Sequence, residues 1–208
     1  MLRRNALLGA ALIAAGKPAK KKEPEISPTE DLMREHGLLN RVLLVYEECA
    51  RRLEAGEEVK VLPAAAKIIR DFIEGYHEQL EEQQLFPRFR KADKLTDLVG
   101  TLQAQHAAGR RITAQLLAGA PDRSRTPRLL RSFSRMYRPH EAREDTVLFP
   151  AFRELVGERE WDKLGDIFED REHQLFGERG FEGKVDEVAG IEQALGIADL
   201  ARFTPSGS

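Results

Sequence analysis

One segment of this chain occurs twice, and the repeat constrains the fold more than any other feature of the sequence. Both copies, residues 77–90 and 140–153, read His-x-x-x-Glu, then an acidic residue, and end in Leu-Phe-Pro-x-Phe-Arg. A spacing of four residues places the His and the Glu of each copy on one face of a helix, one turn apart. The chain is therefore expected to contain two helices that each present an imidazole and a carboxylate to a shared interior.

Apolar residues outside the repeat recur at three- and four-residue steps, which is the period of helices with one buried face. This pattern predicts helices over Thr29 to Leu53, from about Pro63, over Lys94 to Leu117, and after Pro127. The apolar stripes of the first and third helices contain His36 and His106. Short connections rich in Gly, Pro and Asp favour antiparallel neighbours. The sequence thus predicts an all-α fold, an up-down-up-down antiparallel four-helix bundle with additional C-terminal helices.

The predicted bundle occupies residues 29–156, and the remainder of the chain is expected to form an extension and a tail. From Glu158 the sequence predicts a fifth helix, then a glycine-rich turn at Gly177, Gly180 and Gly183, and a last short helix. Residues 157–208 are therefore predicted to be a C-terminal helical extension that ends in a tail.

Residues 1–28 form a predicted leader and linker. Arg3 and Arg4 precede an apolar run at 6–15, and lysines follow it, which is the layout of an export signal and resembles a twin-arginine signal. The run is too short to span a bilayer, so no stable membrane span is expected in the mature chain. A periplasmic or exported location is predicted, with a retained amphipathic leader and a cytoplasmic location as the alternative.

Composition excludes several classes of function. The 33 Lys+Arg nearly balance the 35 Asp+Glu, so no overall field attracts nucleic acid, which is not expected as a partner. Cys49 is the single cysteine, and it can form neither a disulfide framework nor a thiolate metal site by itself. Any metal must then be held by imidazoles and carboxylates, which suit iron or manganese better than structural zinc.

The repeat, His36 and His106 together predict a metal site at the bundle centre. They bring four imidazoles and two carboxylates together, namely His36, His77, Glu81, His106, His140 and Glu144. Burying such groups without partners would cost several kcal/mol per ion, so bound cations are expected to compensate them.

Other polar residues near the motif are given lesser roles. Glu82 and Asp145 each follow a predicted ligand by one residue and turn away from it by about 100 degrees, so they are expected at the surface or just outside the ligands. Tyr76 and Tyr137 are interpreted as core residues, with hydrogen bonding near the metals or gating of access as the alternative. The Leu-Phe-Pro segments are attributed to packing and helix-end geometry.

The order His, His-x-x-x-Glu, His, His-x-x-x-Glu, with both Leu-Phe-Pro segments, resembles the hemerythrin family, specifically its bacterial cation-binding members. The resemblance covers roughly residues 29 to 156. It implies that the six residues bind two non-haem iron ions, joined by an oxo or hydroxo bridge and by Glu81 and Glu144. It also implies a small diatomic molecule or peroxide as ligand. Reversible O2 binding, enzymatic removal of peroxide or nitric oxide, and iron storage or delivery all stay open, and protein partners are not indicated.

The sequence departs from the oxygen-carrying members at one position. Those members place two histidines four residues apart on the third helix, whereas here Arg110 stands four residues after His106. His173, on the predicted fifth helix, could replace the missing ligand, with a histidine at the surface or just outside the site as the alternative. Two six-coordinate irons offer roughly twelve positions, and a fifth histidine would leave one of them open for a small oxidant.

Overall fold

The computed structural model describes residues 26–119 and 122–205. Within these ranges the chain is helical and no strand occurs, which confirms the prediction of an all-α protein. The export signal predicted near the N-terminus lies outside the described residues. In the described part of the chain, none of the helices combines the length and the apolar character needed to cross a membrane.

The described residues form a series of long helices joined by short connections. They are α1 (Pro28–Glu54), α2 (62–91), α3 (Thr96–Leu117), α4 (126–155), α5 (Glu158–Phe176) and α6 (Gly180–Leu195), followed by a 3₁₀ turn at Leu200–Phe203. Ser27 caps α1, because its hydroxyl accepts a hydrogen bond from the N–H of Glu30 at 3.3 Å, and Pro28 occupies the first turn. The helix boundaries agree with the periodicity of the sequence, while the up-down-up-down arrangement stays a prediction.

Helices α2 and α4 contain π-helical segments, which the sequence did not predict. They are Ile69–His77 and Glu81–Leu85 in α2, and Glu144–Leu148 in α4. In both copies of the repeat the motif glutamate begins a π segment, and the N–H of the phenylalanine before the proline donates to that glutamate's carbonyl. The next residue is proline, which has no N–H to continue the helix ladder. Such π turns are frequent at functional sites, and here one ends at the predicted ligand His77 while the other two begin at the predicted ligands Glu81 and Glu144.

Helices α5 and α6 share one apolar core with α1 to α4. Leu164 and Phe168 of α5 and Val188 and Ile191 of α6 are buried in the same cluster as the apolar stripe of α1. Cys49 is also buried in this cluster. The extension is therefore packed against the helices that carry the repeat.

The prediction of a turn that includes Gly180 and Gly183 is wrong. Only Gly177 lies in the connection, with φ of 74°, and α6 begins at Gly180. The carboxylate of Glu172 accepts a hydrogen bond from the N–H of Phe181 at 2.7 Å, which satisfies a free donor at the start of α6. Glycine at 180 leaves space for that carboxylate, because a Cβ there would lie 1.8 Å from Oε1 of Glu172.

Candidate metal centre

Six buried side chains from four helices meet at one place in the core. The first group of potential ligand atoms, all within 4.8 Å of one another, comes from His36, His77, Glu81 and Glu144, and the second comes from Glu81, His106, His140 and Glu144. The two carboxylates belong to both groups. The histidines are thus divided into two pairs, and Glu81 and Glu144 lie between them.

The imidazole Nε2 atoms point towards the shared carboxylates. They are 3.1 Å apart in the pair His36 and His77, and 3.2 Å apart in the pair His106 and His140. Oε2 of Glu144 lies 3.4 Å from Nε2 of His36 and 3.1 Å from Nε2 of His140. Oε2 of Glu81 lies 3.8 Å from Nε2 of His77 and 3.4 Å from Nε2 of His106. Each carboxylate therefore contacts one imidazole of each pair.

The outward nitrogen of every imidazole donates a hydrogen bond to a side-chain oxygen. Nδ1 of His36 donates to Asp145 at 2.7 Å, and Nδ1 of His106 donates to Glu82 at 3.0 Å. Nδ1 of His77 donates to Glu35 at 2.6 Å, and Nδ1 of His140 donates to Gln105 at 2.9 Å. Metal-binding histidines usually donate their second N–H in this way, which fixes the ring and leaves the Nε2 lone pair free for the metal.

These hydrogen bonds follow the internal repeat. The acidic residue after each motif glutamate accepts a hydrogen bond from a histidine of another helix: Glu82 accepts from His106, and Asp145 accepts from His36. The residue before His36 is Glu35, which accepts the hydrogen bond of His77. The residue before His106 is Gln105, which accepts the hydrogen bond of His140, so one acceptor is a carboxylate and the other an amide. Sequence reasoning placed Glu82 and Asp145 close to the ligands but missed Glu35 and Gln105. Their common offset of one residue before His36 and His106 is the signal that could have found them.

The phenylalanines of the Leu-Phe-Pro segments also contact the site. Phe86 stacks on the ring of His106 with centroids 5.6 Å apart, and Phe149 stacks on His36 at 5.5 Å. These rings cover the faces of the two imidazoles that do not belong to the repeat. The segments therefore pack, as predicted, and they pack against the site. The predicted helix-end role is wrong, because Pro87 and Pro150 follow a π segment inside α2 and α4, which continue beyond them.

The two shared carboxylates fit a bound cation. Both side chains are fully buried, and none of the four carboxylate oxygens of Glu81 and Glu144 has a hydrogen-bond partner within the described structure. Leaving buried carboxylate oxygens unpaired is expensive, and direct coordination would satisfy them. Burial and the charge of Glu144 raise the pKa of Glu81 above its usual range. Burial lowers the pKa of His77 to about 4. For His106, burial is outweighed by the carboxylates of Glu81 and Glu82, which raise its pKa to about 10. A metal at His106 would therefore have to displace a proton, whereas His77 is already the neutral imidazole that a metal requires.

Arg110, which stands four residues after His106, contacts acidic side chains beside the centre. Its guanidinium lies 2.7 Å from Glu78 and 2.8 Å from Glu82, so it neutralises a third group of potential ligands formed by these two residues and His106. Glu78 also accepts a hydrogen bond from the hydroxyl of Tyr137 at 2.6 Å. Arg110 therefore holds Glu82, which in turn orients His106.

His173 does not join the six residues at the centre. It is exposed in the last turn of α5 and lines a surface groove with Tyr76, Gln79 and other residues of α2. The buried face of α5 carries Leu164 and Phe168, and Glu172 continues that face four residues later. Because a helix turns by about 100 degrees per residue, the side chain of His173, the next residue, faces solvent. The structure thus does not place His173 where it could replace a ligand, and it matches the surface alternative.

Gly109 gives a prediction on how the centre is packed. A Cβ at this position would lie 2.2 Å from the hydroxyl of Tyr137, which stacks on Phe133 with ring centroids 4.3 Å apart. Gly109→Ala should therefore destabilise the protein by about 1–3 kcal/mol, because Tyr137 must shift and release Glu78. Gly100 lies on the same helix, and a Cβ there would meet no described atom within 4 Å beyond its chain neighbours and the backbone of its own helix. Gly100→Ala should therefore be neutral or stabilising by roughly 0.5–1 kcal/mol.

Denaturant unfolding of both variants checks this difference. Adding Tyr137→Phe to Gly109→Ala removes the hydroxyl that makes the closest contact, so the double variant should recover part of the lost stability. Equal stabilities for the two alanine variants would show that the close approach of Tyr137 to Gly109 does not matter.

An all-helical chain in which four buried imidazoles surround two shared carboxylates belongs to the class of histidine–carboxylate cation-binding proteins. The family model described as the hemerythrin HHE cation binding domain matches residues 27–152. This match spans more than half of the chain and includes all six clustered residues. The chain therefore belongs to the hemerythrin HHE cation-binding family, as its motifs indicated.

The sequence is also similar to mycobacterial proteins. Uncharacterized protein Rv1995 of Mycobacterium tuberculosis and Uncharacterized protein Mb2018 of Mycobacterium bovis are each 47% identical to this chain over 203 residues, which covers 92% of the chain and 80% of each relative. The aligned length exceeds the matched domain, so the similarity extends beyond it. No solved structure is significantly similar to this chain.

Proposed function

We propose that the protein is a non-haem di-iron protein whose iron pair binds or reacts with O2 or peroxide. His36 and His77 would hold one iron, His106 and His140 the other, and Glu81 and Glu144 would bridge them. The observation that carries the proposal is the pair of fully buried carboxylates shared by two histidine pairs, with no hydrogen bond from any described residue to their four oxygens. Membership of a cation-binding family supports it.

Two ions account for this arrangement better than one. A single ion beside one histidine pair would leave the other pair, and half of the carboxylate oxygens, without a cation. Four imidazoles and four carboxylate oxygens supply eight ligand atoms, and two six-coordinate ions offer roughly twelve positions, so some positions remain for solvent and for a small ligand. We further propose that α1 to α4 form the up-down-up-down antiparallel bundle that places the two pairs side by side.

The residues around the centre favour small ligands over large substrates. All six clustered side chains are buried, and Phe86 and Phe149 cover two of the imidazoles. A site enclosed in this way admits O2, peroxide or nitric oxide and excludes bulky molecules. When bound, iron would supply the electrons that O2 or peroxide accepts. The protein would orient the ligands through the Nδ1 hydrogen bonds and separate the two irons from bulk solvent.

Metal analysis and rapid mixing test this proposal. Protein purified from its own host should contain close to two irons per chain, and His140→Ala should keep about one iron, at His36 and His77, while His173→Ala keeps both. A fast absorbance change on mixing the reduced protein with O2 is expected, and reversal on deoxygenation would indicate reversible binding. Repeated consumption of peroxide or nitric oxide would indicate an enzyme. Zinc in the purified protein, or no reaction with O2 and peroxide, would contradict the proposal.

A further inference from the structure

A second group of carboxylates lies outside the centre, where α1 meets α5. Asp31, Glu35 and Glu172 each offer an oxygen, and these oxygens lie within 4.8 Å of one another. Asp31 and Glu35 are one turn apart on α1, and Glu172 comes from the last turns of α5. We refer to these three residues as the acidic cluster.

The most buried member of the acidic cluster has an oxygen without a partner. Glu35 is fully buried, and its Oε2 accepts the hydrogen bond from His77. Its Oε1 has no partner with hydrogen-bond geometry in the described part of the chain, although the hydroxyl of Tyr76 lies close to this carboxylate. A buried, unpaired carboxylate oxygen beside two further carboxylates is costly unless a cation or a proton lies among them.

Among the described residues, only Asp31 of the acidic cluster has a lysine or arginine as a partner. Arg34 lies 3.4 Å from Asp31 and 3.5 Å from Glu182, and no described lysine or arginine forms an ion pair with Glu35 or Glu172. Burial, followed by the charges of Glu35 and Glu172, raises the pKa of Asp31 to about 7. The group formed by Glu78, Glu82 and His106 differs in this respect, because the guanidinium of Arg110 already neutralises it.

We propose that Asp31, Glu35 and Glu172 form a separate binding site for a hard divalent cation such as Mn²⁺. Three carboxylates without an imidazole or a thiolate are an all-oxygen ligand set, which favours Mn²⁺, Mg²⁺ or Ca²⁺ over softer metals. The ion would neutralise the cluster, satisfy Oε1 of Glu35, and join the first helix of the bundle to the C-terminal extension. Because Glu35 also accepts from His77, the site lies next to the metal centre without sharing a ligand with it.

Mn²⁺ binding to the full chain tests the site, with free Mn²⁺ followed by electron paramagnetic resonance. The variant Asp31→Asn/Glu172→Gln should bind one Mn²⁺ fewer per chain than the wild type, or bind that ion at least about tenfold more weakly. The control Glu30→Gln/Glu169→Gln removes two exposed acids from the same helices and should bind as the wild type does. Any Mn²⁺ held by the His/Glu centre is common to all three chains, so the difference is independent of the proposed function.

Thermal unfolding gives a second measurement on the same chains. Mn²⁺ should raise the Tm of the wild type and of the control, because it binds only the folded chain, and should not raise that of the double variant to the same extent. If the double variant folds poorly, Glu172→Gln alone serves, since its amide oxygen can still accept from Phe181. Equal Mn²⁺ stoichiometry, affinity and Tm increments in the wild type and the variants would overturn the proposal.

Discussion

Replacing Glu81 by glutamine should lower the affinity for both metal ions together, by at least about 100-fold. Losing a residue that hydrogen-bonds to a ligand costs up to about 100-fold in metal affinity, and a change in a ligand itself should cost at least as much. Glu81 belongs to both groups of ligand atoms, whereas each histidine belongs to one. His106→Ala should therefore retain one ion, at His36 and His77. Iron per chain after gel filtration, together with metal titration, distinguishes loss of both ions from loss of one.

The metal-free Glu81→Gln protein should be more stable than the metal-free wild type, by about 0.5–2 kcal/mol. Glu81 and Glu144 are both fully buried with unpaired oxygens, so removing one charge relieves repulsion and part of the desolvation cost. A variant that loses metal while gaining stability would show that the carboxylates are kept for binding rather than for folding.

Glu74→Gln is the matched control for this experiment. Glu74 is a buried acid of the same helix with one unpaired oxygen, but it belongs to neither group of ligand atoms. Its iron content should equal that of the wild type. If Glu81→Gln also retained the iron of the wild type, a bridging role for Glu81 would have to be abandoned.

The six clustered residues could be predicted because helical periodicity alone decides which side chains share a face. His77 and Glu81 are four apart in one helix, and His36 falls in an apolar stripe, so no knowledge of packing was needed to bring them inward. The doubled motif then made chance unlikely to explain the pattern. For the same reason the helix boundaries followed from the sequence to within a few residues.

The position of His173 could not be predicted in this way. It depends on how α5 rotates about its own axis, and that rotation is set by Leu164 and Phe168 packing into the core rather than by the motif. Gly180 is a similar case, because the contact that lets a helix begin there comes from Glu172 across a connection. Both features depend on packing between helices, and the spacing of apolar residues along one helix does not predict that packing.

The hydrogen bonds to the histidines could be predicted only in part, because they depend on helical periodicity and also on packing between helices. Glu35 and Gln105 stand one residue before a ligand, where a helix position can face either the core or a neighbouring helix. Only the approach of α1 to α2, and of α3 to α4, directs them to His77 and His140. The π segments after Glu81 and Glu144 were likewise unexpected, although the proline in each Leu-Phe-Pro removes a helix donor nearby.

The difference between Glu35 and Gln105 should make the two metal positions unequal. Glu35 is a carboxylate that accepts a hydrogen bond from the N–H of His77, whereas the acceptor for His140 is the amide of Gln105. A carboxylate partner makes the imidazole a stronger metal ligand, so His77 should bind more tightly than His140. Glu35→Gln should therefore weaken binding at His36 and His77 by about 10–100-fold, which brings the two dissociation constants closer together. Gln105→Glu should tighten binding at His106 and His140, because it supplies the carboxylate that this copy of the repeat lacks.

Competition with a chelator measures both dissociation constants in each chain. Gln103→Glu adds the same charge at an exposed position of α3, two residues from Gln105, and should leave both constants unchanged. Asp31→Asn/Glu172→Gln keeps the hydrogen bond from His77 to Glu35, so it separates this effect from cation binding at the acidic cluster. Unchanged constants in both Glu35→Gln and Gln105→Glu would mean that the acceptors only position the rings. A selective shift at one histidine pair would mean that they also set its affinity for the metal.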